Sequence, residues 1–204
     1  MRILLVNTTD WNSPVAVAAA DPARRLTPRS NTSSILPRRS LRSGPSRRDG
    51  SVRISISSVK PAAARRQAEW IVGMEPWRSM GFRAAPLGRW LFRRARAGCV
   101  LAAVQQGAIL GILVFQPDFL LGTFIALLAV RPQAAGQGVG RALVERIARQ
   151  TFARRRWLYV SSDSQNRLAA RFYRKFGFSR VARLPDLVCE ERVEILWRKK
   201  RIEN

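Results

Sequence analysis

The chain has 204 residues, 47% of them hydrophobic and 25% charged, with a net charge of +24 and no histidine. That length and balance suit one globular domain with a sizeable core and exclude a fibrous or wholly disordered chain. The absence of histidine excludes a His-based triad, and with Cys99 and Cys189 as the sole thiols no metal is expected.

Of the 37 basic residues only Lys60, Lys175, Lys199 and Lys200 are lysine, and the arginines run along the whole chain. Such spread fits compositional bias, as in a GC-rich genome, better than a dedicated nucleic-acid face, although a charge this large leaves nucleic acid open as a partner. Cys99 and Cys189 lie in apolar surroundings and read as isolated core thiols. The longest apolar run, 119–130, is too short to span a bilayer. The first eleven residues make a poor secretory signal, so a cytoplasmic location without membrane contact is expected.

Residues 1–50 are rich in Pro, Ser and Arg and lack periodic apolar positions. They are predicted to be a disordered N-terminal extension, or the product of a start codon placed too far upstream. The folded domain is predicted over 51–204. Val52, Ile54 and Ile56 alternate with polar neighbours, which predicts a strand over 51–59. Pro61 opens and Gly73 closes a predicted helix over 61–74, and a second follows over 85–96. Residues 99–115 read as a hairpin turning at Gln105, Gln106 and Gly107. The run 123–130 is apolar without alternation, as in a strand covered on both faces.

A glycine-rich turn, 131–138, leads into an amphipathic helix. Val139, Leu143 and Ile147 lie on one side of it, and Arg141, Glu145 and Arg149 on the other. A buried strand (157–162), a helix (165–176) and two strands (178–184 and 192–198) complete the chain. This order predicts an α/β fold built on a mixed sheet with helices on both faces. In the turn, Gly136, Gly138 and Gly140 leave backbone N–H groups unobstructed at the positive end of a helix, an anion site suited to a pyrophosphate. It is not a kinase-type P-loop, because Arg141 and Ala142 follow Gly140. It is not the dinucleotide fingerprint either, because the spacing is G-x-G-x-G.

This spacing resembles the acyl-CoA loop of the GNAT N-acetyltransferase superfamily. Val130, Pro132, Gly136, Gly138, Val139, Gly140 and Leu143 match V-x-P-x-x-[RQ]-G-x-G-[IV]-G-x-x-L, with Ala135 in the slot normally held by Arg or Gln. Downstream, Asn166, Ala169, Phe172, Tyr173, Lys175, Gly177 and Phe178 match N-x-x-A-x-x-[LF]-Y-x-K-x-G-F. The motifs are nearest to the branch that acetylates ribosomal-protein N-termini, and the resemblance spans about residues 52–200.

The resemblance implies a mostly antiparallel sheet in which two parallel strands, 123–130 and 157–161, splay apart to admit acetyl-CoA as co-substrate. The backbone of Leu128, Ala129 and Val130 would pair with the pantetheine arm. Amides of Gly136, Gln137, Gly138, Val139, Gly140 and Arg141 would bind the pyrophosphate, with the Arg141 side chain compensating for Ala135. Asn166 would contact the coenzyme arm or cap a helix. Tyr173 would be the general acid that protonates the departing thiolate. The acceptor would be a primary amine, either a peptide N-terminus or a small molecule, and the protein a monomer or homodimer. A non-catalytic CoA- or RNA-binding module on the same fold is the alternative.

Relatives that acetylate protein N-termini carry a glutamate twelve residues before the tyrosine, where this chain has Ser161. That leaves Glu75, Asp163, Asp186 and Glu194 as carboxylates for the base, or an ordered water with no side-chain base at all. Glu75, beside Trp77 where relatives build acceptor specificity, is the first candidate for a base or an acceptor contact. Asp186, Glu190, Glu191 and Glu194 cluster in the closing hairpin, where they would draw a cationic acceptor or pair with arginines.

Overall fold

The computed structural model of the protein describes residues 53–201. The predicted extension, 1–50, and Val52 of the first predicted strand lie outside the described residues. The elements follow one another as β1 (Ser55–Ser58), α1 (Pro61–Arg65), α2 (Ala68–Val72), α3 (Ala84–Arg96), β2 (Val100–Gln105), β3 (Ala108–Phe119), β4 (Gly122–Val130), α4 (Val139–Phe152), β5 (Trp157–Asp163), α5 (Arg167–Lys175), β6 (Ser179–Pro185) and β7 (Val193–Lys200). They form a seven-stranded sheet in the order β1-β2-β3-β4-β5-β7-β6. Among the described strands β4 and β5 are the one parallel pair, and every other neighbour is antiparallel. The predicted mixed, mostly antiparallel sheet is thus present.

Helices cover both faces. α4 buries Val139, Leu143, Val144 and Ile147 against Leu101, Leu113, Ile125 and Leu158, and Tyr173 of α5 joins the same cluster. Each such aliphatic side chain contributes about 1.5–3 kcal/mol of burial. On the opposite face Ala64, Ala68, Ile71, Leu87 and Leu91 of α1, α2 and α3 pack on Ile112, Val114, Leu127 and Ala129.

Two local expectations are corrected. The helix predicted over 61–74 is two short helices, α1 and α2, parted at Arg66 and Gln67. The amide of the buried Gln67 donates to the carbonyl of Ala63 at 2.8 Å and accepts from Trp70 Nε1 at 2.9 Å. That side chain takes a carbonyl which a continuing helix would reserve for its own backbone. The second correction concerns β3, which runs on to Phe119 and turns into β4 through Leu120 and Leu121. Both turn residues are left-handed, at φ 41° and 61°, the mirror-image turn that suits a tight hairpin but penalises side chains. Neither left-handed position is a glycine, so the sequence reads through the turn as one apolar run.

Candidate active site

The splay between β4 and β5 begins at a bulge. Val114 of β3 faces Leu127 of β4, but the next residue, Phe115, faces Ile125, so Ala126 is inserted without a partner. An inserted residue reverses the alternation of side chains and bends the strand. Ile125 accordingly packs with α4, while Leu127 and Ala129 pack with α1–α3. The β4–β5 ladder ends at the same place, at Ile125 opposite Val160. Beyond it Leu127–Val130 pairs only with β3, and Ser161–Asp163 only with β7. The predicted positions Leu128, Ala129 and Val130 therefore lie along one arm of a fork, with backbone groups on the side facing β5 that no strand takes up.

At the end of that arm the chain makes a single 3-10 turn, Pro132–Ala134, and enters the glycine loop. Gly136 and Gly138 sit at φ 78° and 80°, and Gly138 is the N-cap of α4. Only glycine adopts this conformation readily. No other atom would stand within 4 Å of a Cβ at either position, so conformation, not crowding, selects glycine there. Gly140, inside the first turn of α4, lies against the ring of Phe172 and the side chain of Val130. These contacts join the loop to α5 and to the arm of the fork. The result is an open row of amides at a helix N-terminus, the arrangement that holds a pyrophosphate. The Gln137 amide donates to the Gln133 carbonyl at 2.8 Å. Arg141 is paired with Glu145 along the helix at 2.7 Å, which directs its guanidinium down α4.

Asn166 caps α5, its Oδ1 accepting from the Ala169 amide at 3.0 Å. This bond fixes the start of the helix that carries Tyr173. Tyr173 is buried among Phe172, Phe178 and Trp197, with ring centroids 5.4, 5.5 and 6.3 Å away. Burial, then the nearby charge of Glu194, push its phenol well above the ordinary tyrosine range.

On the opposite face of β5 and β7, acidic residues gather. Leu158, Val160, Ile195 and Trp197 face the cluster with α4 and α5, so Ser161, Asp163 and Glu194 point to the side of α1–α3. Asp163 stands directly across from Glu194 in the ladder. Glu194 is only 5% exposed and hydrogen-bonds Ser161. Burial first, and then the charge of Asp163, push its carboxyl up to about 7 against the opposing effect of that bond. Asp163 is tied down at both oxygens, accepting from the Gln165 amide and from Arg192 Nη1, each at 2.7 Å. Arg192 in turn donates to Ser79 Oγ at 3.4 Å and so joins β7 to the segment between α2 and α3.

Glu75, the first candidate for the base, lies in that same segment. Its side chain is 53% exposed and bound to Arg78 at 2.8 Å. Hydrogen bonds from Ser79 and Arg78 hold its carboxyl below the usual range, which suits a fixed anion better than a proton acceptor. Asp186 is exposed and turned into its own hairpin, accepting from the Glu191 amide at 2.7 Å. Glu194 was legible in sequence only as one acid among several. What singles it out is that β7 inserts beside β5, a pairing that chain order does not announce.

Residues 64–178, more than half of the chain, match the family model for the acetyltransferase (GNAT) family. The protein belongs to the GNAT acetyltransferase family. Its co-substrate is therefore acetyl-CoA, as the glycine loop suggested.

Solved structures carry the same fold. A GNAT-family acetyltransferase from Bacillus cereus superposes with a TM-score of 0.61 at 15% identity, over 74% of this chain and 99% of that one. The ribosomal-protein-alanine N-acetyltransferase from Brucella melitensis gives 0.57 at 19% identity, over 72% and 99%. The Salmonella typhimurium protein yncA, solved with its cofactor acetyl-CoA, gives 0.56 at 17% identity, over 74% and 96%. A search of curated protein sequences returned no match. Among the described residues no helix is long and apolar enough to cross a membrane, and no three His, Cys, Asp or Glu residues group as metal ligands.

Proposed function

We propose that this GNAT protein transfers the acetyl group of acetyl-CoA to a primary amine, with a protein or peptide N-terminus as the favoured acceptor, in the cytoplasm and as a monomer or homodimer. The observation that carries the reading is the fork: the β4–β5 ladder stops at Ile125 and Val160, leaving the edge of Leu128–Val130 leading into the Gly136–Gly140 loop. That edge takes the pantetheine amides by backbone pairing. The amides of the loop from Gly136 to Arg141 take the pyrophosphate, and Asn166 holds the first turn of α5 beside them.

Tyr173 is the general acid. Its phenol stays protonated across the working range, because burial disfavours the phenolate, so a proton is always available to the sulfur as the C–S bond breaks. The acceptor comes from the face of α1–α3, where Glu75, Asp163 and Glu194 present negative charge in a chain of net charge +24. A cationic peptide N-terminus is drawn to that face. The motifs nearest to the ribosomal-protein branch support the same acceptor, and a relative of the same fold carries that name.

The test is acetyl-CoA turnover, followed by thiol release, on a panel of peptides with different N-termini and of small amines. Acceptor-dependent release greatest on peptides supports the reading. Release only on small amines removes the peptide, and acetyl-CoA binding without release on any amine removes the activity.

A further inference from the structure

The following rests on the amine-acetyltransferase reading and deepens it. We infer that Glu194, reaching from β7 to Ser161 at the root of the fork, is the base that takes the proton of the acceptor ammonium, in place of a carboxylate on β5. Three observations carry this.

The first is position. Ser161 immediately follows Val160, the last β5 residue paired with β4, and Glu194 hydrogen-bonds Ser161. The second is orientation. Tyr173 lies on the α4–α5 side of the sheet, and Glu194 points to the α1–α3 side. An acid for the leaving thiolate and a base for the incoming amine thus flank one fork from opposite faces. The third is elimination. Asp163 has both oxygens engaged, Asp186 is folded into its hairpin, and Glu75 is exposed and paired with Arg78.

The charged and titratable groups around Glu194 are few. β5 presents Asp163 on the same face, Tyr173 of α5 feels its charge from across the sheet, and β6 places the uncharged Leu184 opposite it. Arg192, two residues before it in the chain, is committed to Asp163. No arginine therefore holds Glu194 as a permanent anion, and burial beside Asp163 gives it a proton affinity near neutrality.

The proton balance closes. The ammonium gives one proton to Glu194, and the free amine attacks the carbonyl carbon, forming the C–N bond. As the C–S bond breaks, its electron pair goes to sulfur, which takes the Tyr173 proton. The new nitrogen sheds its second proton, and of the two protons lost by nitrogen one replaces that of the phenol while the other leaves to solvent. The pair is coupled in the useful direction. Anionic Glu194 raises the Tyr173 phenol, so once Glu194 has taken the amine proton that effect is lifted and the phenol becomes a better acid.

The experiment is the pH profile of kcat/KM for the full chain with a peptide acceptor, alongside acetyl-CoA affinity measured by calorimetry. Wild type is expected to rise with pH through a limb near 7, distinct from a second limb that follows the acceptor's own amine. Glu194→Gln should lower kcat/KM by about 100-fold or more and remove the first limb, leaving acetyl-CoA affinity unchanged. Adding Ser161→Glu to that variant should restore a large part of the rate. Asp163→Asn should move the limb to lower pH.

A Glu194→Gln enzyme within about threefold of wild type and with its limb intact overturns the base, as does a loss that Ser161→Glu cannot recover while the limb persists. Should Glu194→Gln fail to fold, an unmoved limb in Asp163→Asn overturns it. A wild-type chain that binds acetyl-CoA but acetylates no amine overturns the proposed function itself, a result distinct from the others.

Discussion

Glu194 and Ser161 share a hydrogen bond although the ladder does not pair them. Asp163 faces Glu194, and Leu196 faces Ser161. The contact runs diagonally across two strands, on one face, which long side chains reach readily. Ser161 follows the last β5 residue paired with β4, so this contact sets where the proposed base lies.

Glu194 is stabilised in its protonated form by folding. Its carboxyl moves from 4.5 in the unfolded chain to about 7 in the protein. Stability from this group is therefore complete below about pH 4.5 and is lost as pH rises through 7, a swing of up to about 3 kcal/mol. Glu194→Gln, which keeps the shape without the charge, should raise the Tm by several degrees at pH 8 and leave it unchanged at pH 4.5. Calorimetry at the two pH values checks this, and equal shifts at both would contradict the sign.

Tyr173→Phe keeps the ring among Phe172, Phe178 and Trp197 and removes only the hydroxyl. Turnover should fall by about 10²–10⁴-fold while acetyl-CoA affinity and Tm stay close to wild type. Thiol release and calorimetry on the same preparation measure both.

Gly138→Ala forces a Cβ onto a residue at φ 80°. The strain is about 1–2 kcal/mol, and it falls on the loop proposed to hold the pyrophosphate. We expect weaker acetyl-CoA binding and a raised KM for the donor, with a smaller effect on kcat at saturation. A variant that loses stability but binds acetyl-CoA normally would detach the loop from donor binding.

The turn at Leu120 and Leu121 offers a control remote from the fork. Both residues are left-handed, and Leu121 is 80% exposed. Leu120→Asn with Leu121→Gly supplies the residues that such a turn prefers and should stabilise the protein by about 1–2 kcal/mol. The Leu120 carbonyl that accepts from Tyr159 at 3.2 Å belongs to the backbone and is retained. Chemical denaturation should show the gain, and kcat/KM should not change.

The parts of the site that depend on one contiguous segment were legible in the sequence. The Gly136–Gly140 loop and the helix behind it announce themselves through spacing, because loop conformation and helical period are local properties, whereas Tyr173 was marked only by the resemblance of its motif to the GNAT family. The fold followed from the same local patterns and the two motifs. The parts that depend on strand neighbours were not. Nothing in the order of β5, β6 and β7 says that β7 lies in the middle, and so nothing brought Glu194 to Ser161. Gln67 and the Leu120–Leu121 turn were missed for a related reason: a side-chain amide competing for a carbonyl, and a turn held by its flanking strands, leave no mark on periodicity.

The bulge at Ala126 decides how freely the two halves of the fork can change over evolutionary time. An inserted residue sets the facing of every position after it, so no exchange of one amino acid for another closes the gap between β4 and β5. Only loss of a residue would do so, and it would turn Leu127 and Ala129 away from α1–α3 at once. Substitution alone thus leaves the proposed donor berth in place. The proposed acceptor face is assembled from separate side chains, Glu75, Asp163, Arg192 and Glu194, on three stretches of chain, each open to replacement one codon at a time. A lineage built this way can drift from one amine to another without giving up its donor.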